Sequence, residues 1–321
     1  MNFIKENILK VMSFILRKLL NLPPNSSIII FNGGLGNQLF QYTLALHLQQ
    51  KYSKNIFFYD ISKDYKIVHT SGISKIFKTK LKFLNSRKIP KFIKHTIFSK
   101  YFLKLNNFAF KIFEKKLFPL FVIDHHLKKI NLNNHLVKSN FLSIFIGTWH
   151  TTINSYNDQI FEDLNFSKDF SIPYNSKNLF KSDFICLHIR RGDYVSHKKA
   201  SKYHGNLNNE YFLNSVNLIR SKYENLPVFI FTDDPKWVKN NLQPHIRNSH
   251  LISSDLQDAE VDFFLMTKAK YFVVSNSTFS WWTAFLSKKK DKFIILPKKW
   301  FSKGEINSNL IYKYWSYKII E

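Results

Sequence analysis

Cysteine is nearly absent from this chain of 321 residues, which contains Cys186 alone. A single cysteine excludes an internal disulfide and any cysteine-rich metal site. Cys186 lies in the apolar run 184–187, where we expect a buried and unreactive thiol. Glycine and proline are also scarce, with eight and nine residues, and this excludes a collagen-like or low-complexity chain.

Long apolar runs are missing as well, since none reaches the roughly 18 residues that a membrane-spanning helix needs. Basic residues interrupt the N-terminal apolar positions and no small-residue cleavage site follows, which argues against a signal peptide. The spacing instead predicts an amphipathic helix within residues 1–24. Its expected apolar face contains Ile4, Ile8, Val11, Ile15 and Leu19, and its expected polar face contains Glu6, Lys10, Ser13 and Arg17. Such a helix either packs on the domain or lies on an anionic membrane surface, and both alternatives stay open.

Acidic residues are few, because 22 Asp and Glu stand against 48 Lys and Arg, a formal net charge of +26. An excess of this size indicates an anionic partner: a nucleic acid, an acidic membrane surface or a phosphorylated substrate. Only six of the basic residues are Arg, and two of the six, Arg190 and Arg191, are adjacent.

Strand and helix patterns alternate along the chain, which predicts an α/β protein with parallel sheets. The predicted strands are 27–31, 56–59, 144–149, 184–189, 228–232, 271–275 and 293–296. Residues 62–135 predict helices and loops without recognisable chemistry, and the polar segment 166–181 is the best linker candidate. We therefore expect an N-terminal Rossmann-like domain over residues 25–168 and a C-terminal one over residues 169–321.

Three glycines, Gly33, Gly34 and Gly36, separate the first predicted strand from a helix. Glycines at this place let a ligand approach the N–H groups of a helix N-terminus, although a tight turn explains them equally well. Their G-G-x-G spacing does not match the dinucleotide fingerprint, so a nicotinamide cofactor is weakly supported.

The segment 188–194, which reads His-Ile-Arg-Arg-Gly-Asp-Tyr, follows a predicted buried strand, and ligands bind at such strand ends in open α/β sheets. The planar fork of a guanidinium matches phosphate oxygens in a way that Lys cannot. An ion pair with Asp193 is the alternative, and we expect one of the two adjacent arginines in each role.

Hydroxyl and amide side chains in segment 275–282, and Asp233 in segment 232–235, also follow predicted strands. They suit either a phosphate at a helix N-terminus or an ordinary N-cap. No two Asp residues are two positions apart, so the chain has no D-x-D metal motif. We expect phosphate binding without a divalent ion.

Together the segments 33–42, 188–194 and 275–282 resemble the motifs of bacterial and animal α-1,2-fucosyltransferases, glycosyltransferase family 11. Residues 297–300 are similar to that family's P-K-x-W, and the likeness covers about residues 27–301. It implies an α/β, GT-B-like fold in which two Rossmann-like domains face each other across a cleft. It also implies GDP-L-fucose as the donor, inversion at the fucose carbon and no metal requirement.

By this resemblance, Arg190 contacts the β-phosphate and stabilises the departing GDP. The remaining donor-site residues that it implies are His188, Arg191, Asp233, Asn276, Ser277, Thr278, Phe279 and Ser280. Asp262 resembles an aspartate that reads guanine in the wider superfamily, or it is a surface carboxylate on a helix.

The resemblance places a glycine loop at the cleft, formed by Gly33, Gly34, Gly36, Asn37 and Gln38. Trp149 and His150 are expected on the acceptor side, and His150 stands where many relatives have Gln. For the catalytic base we expect Asp193, His188 or a carboxylate of the N-terminal half.

We therefore expect a transferase that moves L-fucose to the 2-hydroxyl of a galactose-like residue on a lipopolysaccharide or capsule precursor. It is expected in the cytoplasm, peripheral on the inner face of the membrane, with no nucleic acid as partner. Two alternatives remain: a basic nucleic-acid-binding protein, and a nicotinamide-dependent Rossmann enzyme in which Asp60, 24 residues after Gly36, holds the ribose.

Overall fold

A computed structural model describes residues 2–61, 72–85, 89, 91, 120–124, 140–167, 180–254, 258–302 and 304–321. The chain forms two compact units, Met1–Ser167 and Lys168–Glu321, called here the first and second unit. Of the predicted linker, residues 168–179 lie outside the described part, as does most of the segment 62–135.

The first unit begins with helix α1, Asn2–Leu19, as predicted, but Ser13 does not lie on the exposed polar face that the pattern predicts. Ser13 is buried, and its hydroxyl accepts the N–H of Leu142 at 2.8 Å. Val11, Ile15 and Leu19 of the predicted apolar face are exposed and do not pack on the unit. The pattern was misread because a small serine can enter a packed face when its hydroxyl finds a backbone partner. The side chains of Ile4, Glu6 and Ile8 lie outside the described residues.

The sheet of the first unit has four parallel strands in the order β2-β1-β4-β3. They are β1 Ser26–Phe31, β2 Asn55–Asp60, β3 Phe121–Ile123 and β4 Ser143–Ile146. Three successive isoleucines of β1, Ile28 to Ile30, are at most 1 % exposed, as expected for a strand with both faces covered. Strand β3 was not predicted, and β4 is shorter than predicted because Gly147 and Trp149 have positive φ.

Helix α2, Leu35–Tyr52, connects the first two strands and ends at Ser53, which has a φ of 50°. Short helical segments among the described residues of this unit are α3 Ile73–Ile76, a 3₁₀ helix His150–Ser155 and α4 Gln159–Glu162.

The main sheet of the second unit has six parallel strands in the order β12-β9-β8-β5-β6-β7. They are β5 Ile185–Ile189, β6 Val228–Thr232, β7 Ser249–Leu251, β8 Tyr271–Val273, β9 Phe293–Pro297 and β12 Ser316–Ile320. An antiparallel pair, β10 Lys299–Phe301 and β11 Gly304–Glu305, follows β9. Of these strands, β7, β10, β11 and β12 were not predicted.

In the described part of the second unit, six helices lie between the strands. They are α5 Gly192–Ser196, α6 Lys198–His204, α7 Asn209–Arg220, α8 Pro235–Asn241, α9 Ala259–Met266 and α10 Thr278–Leu286. Two 3₁₀ turns, Gln243–His245 and Ser308–Leu310, are also described there. The buried face of α7, which includes Tyr211 and Val216, packs against β5 and β6 in one core.

Both units therefore contain a parallel sheet with helices between described strands, and the predicted α/β class with two Rossmann-like domains is confirmed. Renumbered from β5, the strand order of the second unit is 3-2-1-4-5-6, the order of dinucleotide-binding domains. Burial raises the pKa of the Cys186 thiol, as expected for an unreactive cysteine. In the described part of the chain, no helix is long and apolar enough to cross a membrane.

Candidate functional site

The strand order of the second unit defines a switch point between β5 and β8. From β5 the chain continues to β6 on one side, whereas β8 lies on its other side. Helices that leave neighbouring strands in opposite directions open a crevice at the carboxyl ends of those strands, where ligands bind in such sheets. The segments 188–194 and 275–282 lie at these two strand ends, so the structure brings the two motifs together.

Ser275 joins the ends of the two strands by two hydrogen bonds. Its hydroxyl donates to the carbonyl of His188 at 2.6 Å and accepts the N–H of Arg190 at 3.2 Å. Since Ser275 is 1 % exposed, these bonds are shielded from water and fix the backbone at the start of the arginine loop.

Two carboxylates hold Arg190. Its guanidinium contacts Asp193 through Nη2 and the Oδ2 atom of Asp233 through Nη1, the latter at 2.6 Å. The two carboxylates occupy two of the five N–H donors of the guanidinium, and a phosphate can be bound by the others. The side chain is 27 % exposed, so it is accessible to a ligand.

Arg191 is held differently, against helix α8. Its Nε donates to Asp234 at 3.1 Å, and its guanidinium carbon lies 3.7 Å from the centre of the Trp237 ring. Its backbone N–H donates to Oδ1 of Asp233 at 2.8 Å. Stacking on an indole and pairing with a carboxylate is a structural arrangement, which fits the role in which one of the two arginines holds the loop.

The neighbouring carboxylates of Asp233 and Asp234 bind different partners. Asp234 caps helix α8 by accepting the N–H of Trp237 at 3.2 Å, whereas Asp233 binds the arginine loop. Counting Asp193, three carboxylates contact two guanidinium groups, so the cluster has no net positive charge. Attraction for a phosphate must therefore come from individual N–H donors and the wider basic surface.

Helix α10 supplies a second set of donors at the switch point. Ser277 is its N-cap and accepts the N–H of Phe279 at 3.3 Å. Thr278 is the first helical residue, and Ser280 donates to the carbonyl of Ser277 at 3.2 Å. The N-terminus of this nine-residue helix carries a partial positive charge, which favours an anion.

Asn276 connects the start of segment 275–282 to helices α5 and α6 by hydrogen bonds. Its Nδ2 donates to the carbonyls of His204 at 3.0 Å and Gly205 at 3.3 Å, and its carbonyl accepts the hydroxyl of Tyr194 at 3.2 Å. The rings of Tyr194 and His204 stack with their centres 4.3 Å apart. That Asn276 binds the donor stays a prediction.

His188 is buried on β5, where its ring stacks on Phe279 with the centres 5.6 Å apart. Burial, together with the nearby charge of Arg190, lowers the pKa of His188 to about 3. Its imidazole is neutral at pH 7 and too weakly basic for a general base, which works best with a pKa near the working pH. Asp193, the second predicted base, is bound to Arg190.

Asp262 is buried on helix α9, so the alternative of a surface carboxylate is wrong. It accepts the hydroxyl of Ser253, which in turn accepts the N–H of Thr232 at 2.9 Å. This chain of bonds connects the carboxylate to the end of β6. Its proposed contact with guanine stays a prediction.

In the first unit, Gln38 of helix α2 holds the glycine loop. Gln38 donates to the carbonyl of Gly33 at 2.9 Å and accepts the N–H groups of Gly72 and Ile73. Gly33 has a φ of 76°, which requires glycine, and Gly34 is the N-cap of α2. The open space around Gly34 would accept a side chain or a ligand atom.

Trp149 and His150, predicted on the acceptor side, follow β4 at the same edge of this sheet. The Nε2 atom of His150 lies 3.1 Å from Oδ1 of Asn37, so the structure joins the acceptor-side segment to the glycine loop. Trp149, however, is completely buried, and its backbone N–H donates to the carboxylate of Asp124 at 2.6 Å. Its ring fills the core and does not face an acceptor.

The comparisons with known proteins decide the family. The model of glycosyl transferase family 11 matches residues 27–318. This chain belongs to that family. It is 30 % identical to the O-antigen biosynthesis glycosyltransferase WbnK of Escherichia coli, over 88 % of this chain and 97 % of WbnK.

The family 11 chain is also 31 % identical to an Escherichia coli α-1,2-colitosyltransferase, over 86 % of this chain and 92 % of the relative. Among solved structures, the fucosyltransferase NodZ from Bradyrhizobium superimposes with a TM-score of 0.49 at 10 % identity, covering 82 % of this chain and 93 % of NodZ. The protein is thus a glycosyltransferase, and the nucleic-acid and nicotinamide alternatives have no support.

Trp237 was not singled out from the sequence. For Asp234, the predicted alternative of a helix N-cap in segment 232–235 is what the structure shows. Ser275 and Tyr194 lie in the predicted motifs, but their bonds within the loop were not predicted. The pairing of Arg191 with Trp237 has no sequence signal, because it depends on how α8 packs beside the loop.

Two buried histidines should make the stability of this glycosyltransferase depend on pH. Burial lowers the pKa of His188 to about 3 and, helped by Lys51, that of His47 to about 4. Below pH 6.5 the unfolded chain binds protons that the folded chain does not, so stability is lost as the pH falls. Between pH 7 and pH 5 each histidine should cost about 2 kcal/mol of unfolding free energy.

Urea unfolding at the two pH values tests this, with His47→Gln for the first unit and His188→Gln for the second. Each variant should lose about half of the pH dependence that the wild type shows. An unchanged dependence in both variants would show that other groups cause it.

Proposed function

We propose that the protein transfers L-fucose from GDP-L-fucose to the 2-hydroxyl of a galactose-like residue on an O-antigen or related lipopolysaccharide precursor. The observation that carries the proposal is the junction at the switch point, where Ser275 joins the arginine loop to the N-terminus of α10. In a chain of this family, such donors suit a nucleoside diphosphate sugar. The O-antigen role named for WbnK supports the class of acceptor.

The reaction is a single displacement with inversion. The acceptor oxygen forms a bond to the anomeric carbon of fucose while the bond to the β-phosphate oxygen breaks, and the acceptor proton passes to a base. The transition state resembles an oxocarbenium ion, and negative charge grows on the departing GDP. Preorganised donors aimed at that charge are commonly the largest catalytic contribution.

In this mechanism Arg190 contacts the β-phosphate, and the partial positive charge at the N-terminus of α10 adds to the attraction. Asp233 acts through Arg190 by fixing the orientation of its guanidinium. The weak basicity of His188 and the ion pair of Asp193 support the third predicted candidate for the base, a carboxylate of the N-terminal half. No metal ion is needed in this mechanism, because hydrogen bonds from the guanidinium and the start of α10 stabilise the charge that grows on the leaving group.

A second donor is favoured by one specific observation, the 31 % identity to an α-1,2-colitosyltransferase. Colitose is L-fucose without its 3-hydroxyl, so both sugars could be transferred by one arrangement of phosphate donors. The chemistry of the displacement is unchanged, and only contacts to the sugar ring would distinguish the two.

A transfer assay tests the proposal by offering GDP-L-fucose and GDP-colitose to a panel of terminal β-galactosides, followed by linkage analysis of the products. We expect fucose at the 2-hydroxyl and undiminished turnover in EDTA. A 3- or 6-linked product would contradict the linkage, and transfer of colitose alone would contradict the donor. Activity lost in EDTA and restored by manganese would contradict the metal-free mechanism.

The proposed acceptor indicates where in the cell the enzyme works. A lipid-linked precursor is met at a membrane surface, so we place the enzyme in the cytoplasm, peripheral on the inner face of the membrane. The formal net charge of +26 supports association with anionic lipid.

A further inference from the structure

Helix α1 has one exposed face on which apolar and basic side chains are mixed. Val11 is 57 % exposed, Phe14 54 %, Ile15 48 % and Leu19 40 %. Their spacing of three or four residues puts all four on one side of the helix. Large apolar side chains with this much exposure, arranged contiguously, indicate an interaction surface.

The opposite side of α1 fixes the orientation of the helix. Ser13 is 1 % exposed and bonded to the backbone of Leu142, next to strand β4. Leu16 and Leu20 pack against the core of the first unit. The exposed apolar side chains therefore cannot be buried by rotation of the helix without breaking these contacts.

Basic residues accompany the exposed apolar side chains. Lys10 and Lys18 are exposed. Each is four residues from Phe14, so both lie on the same side of the helix as the four apolar side chains. The ammonium of Lys18 lies 5.8 Å from the centre of the Phe14 ring, so charge and apolar surface are directly adjacent. Between residues 9 and 20 the helix contains no Asp or Glu.

We propose that this face, Lys10, Val11, Phe14, Ile15, Lys18 and Leu19, docks on a membrane surface that contains anionic lipid. An amphipathic helix in the plane of the membrane places its apolar side chains at the boundary of head groups and acyl chains, while lysines contact lipid phosphates. Charge complementarity selects this occupant, because a second copy of the chain would place lysines against lysines around any two-fold axis. Val11, Ile15 and Leu19 belong to the apolar face that the sequence pattern predicts, and Lys10 belongs to the predicted polar face.

Co-sedimentation with vesicles tests the proposal on the full chain. Wild-type protein should bind phosphatidylglycerol–phosphatidylcholine vesicles, bind pure phosphatidylcholine vesicles weakly and lose binding as salt is raised. Phe14→Ser/Ile15→Ser should lower the partition coefficient at least about 30-fold, since two half-exposed apolar side chains no longer enter the interface. Lys10→Gln/Lys18→Gln should lower it by about fivefold for each lysine.

A matched control is Tyr314→Ser/Tyr317→Ser, which removes two exposed aromatic side chains from the second unit and should leave vesicle binding unchanged. Circular dichroism and thermal unfolding of every variant show that both units remain folded, and GDP affinity tests the donor site separately from the docking face. The proposal is overturned if the wild-type protein does not bind anionic vesicles, or if both α1 variants bind them as the wild type does. It is equally overturned if analytical ultracentrifugation finds a dimer that Phe14→Ser/Ile15→Ser dissociates, because the occupant is then a second copy.

Discussion

Replacing Arg190 by Lys is expected to lower kcat by about 10²–10³ while GDP still binds within about tenfold of wild type. The positive charge is retained, so attraction of the nucleotide to the site survives. The planar fork of donors is lost, and a single ammonium cannot contact Asp193, Asp233 and a phosphate with the same geometry. Because the phosphate gains negative charge as the bond to fucose breaks, the missing donors matter most in the transition state.

The measurement is a comparison of kcat with the GDP dissociation constant from calorimetry. A contact formed equally in the ground state and the transition state would appear as weaker binding with an unchanged kcat. The expected pattern is the reverse, a loss of roughly 3–4 kcal/mol of transition-state stabilisation with little change in GDP affinity.

Arg191→Lys is the matched control, one residue away and with the same change of side chain. Its guanidinium stacks on Trp237 and pairs with Asp234, so the substitution should reduce stability more than turnover. If Arg191→Lys abolishes turnover and Arg190→Lys does not, the two roles are reversed. If neither substitution affects turnover, the assignment of the phosphate contact to this loop is wrong.

The sequence predicted the parts of the fold that are recorded in local patterns. Strand β6 was predicted at its observed bounds because a run of five apolar and β-branched residues, Val228 to Thr232, ends at Asp and Pro. The switch point was also predictable, since polar motifs follow the strands that become β5 and β8. Motif and strand end are adjacent in the chain, so no knowledge of packing was needed.

Features that depend on packing between distant residues were not predictable. The inward face of α1 is set by Ser13 meeting Leu142, 129 residues away, and no local pattern contains that contact. Strand β3 has three residues, too few for an alternating pattern, and it is stabilised by its pairing with β4. Trp149 is a similar case, because its positive φ turns an aromatic residue that follows a strand into the core.

The pairing of Arg190 with Asp193 shows a limit of another kind. The sequence suggested an ion pair or a phosphate contact for this motif and assigned one arginine to each. In the structure Arg190 makes the ion pair with Asp193 while it keeps further donors for a ligand. One side chain can therefore make both the ion pair and the phosphate contact. A guanidinium has five N–H donors for these two contacts, and an ammonium has only three.

Gly192→Ala is expected to lower kcat by about 10²-fold through Asp233, with little effect on stability. A Cβ at position 192 would lie 2.5 Å from Oδ2 of Asp233, whereas ordinary contacts begin at 3.4 Å. The carboxylate must therefore move by about 1 Å, away from the positions where it binds Arg190 and the N–H of Arg191. A misplacement of this size in a positioning group can cost two orders of magnitude in rate.

Backbone strain does not explain the expected loss, because Gly192 does not have a positive φ and lies at the start of helix α5. Alanine at such a position restricts the unfolded chain and should offset part of the steric cost, so the unfolding free energy should change by less than about 1 kcal/mol. Gly304→Ala is the control, since the nearest atom to its added Cβ is 4.0 Å away, and its turnover should match wild type.

A double-mutant cycle with Asp233→Ala identifies the cause. If Gly192→Ala acts by displacing the Asp233 carboxylate, it has nothing left to displace in the Asp233→Ala background. The second substitution should then cause no further loss of kcat, and the two effects should be strongly non-additive. If instead the two substitutions lower kcat by factors that multiply, Gly192 matters for another reason, such as close approach of the donor to its backbone. In that case the affinity for GDP should fall together with kcat, which separates this explanation from displacement of Asp233.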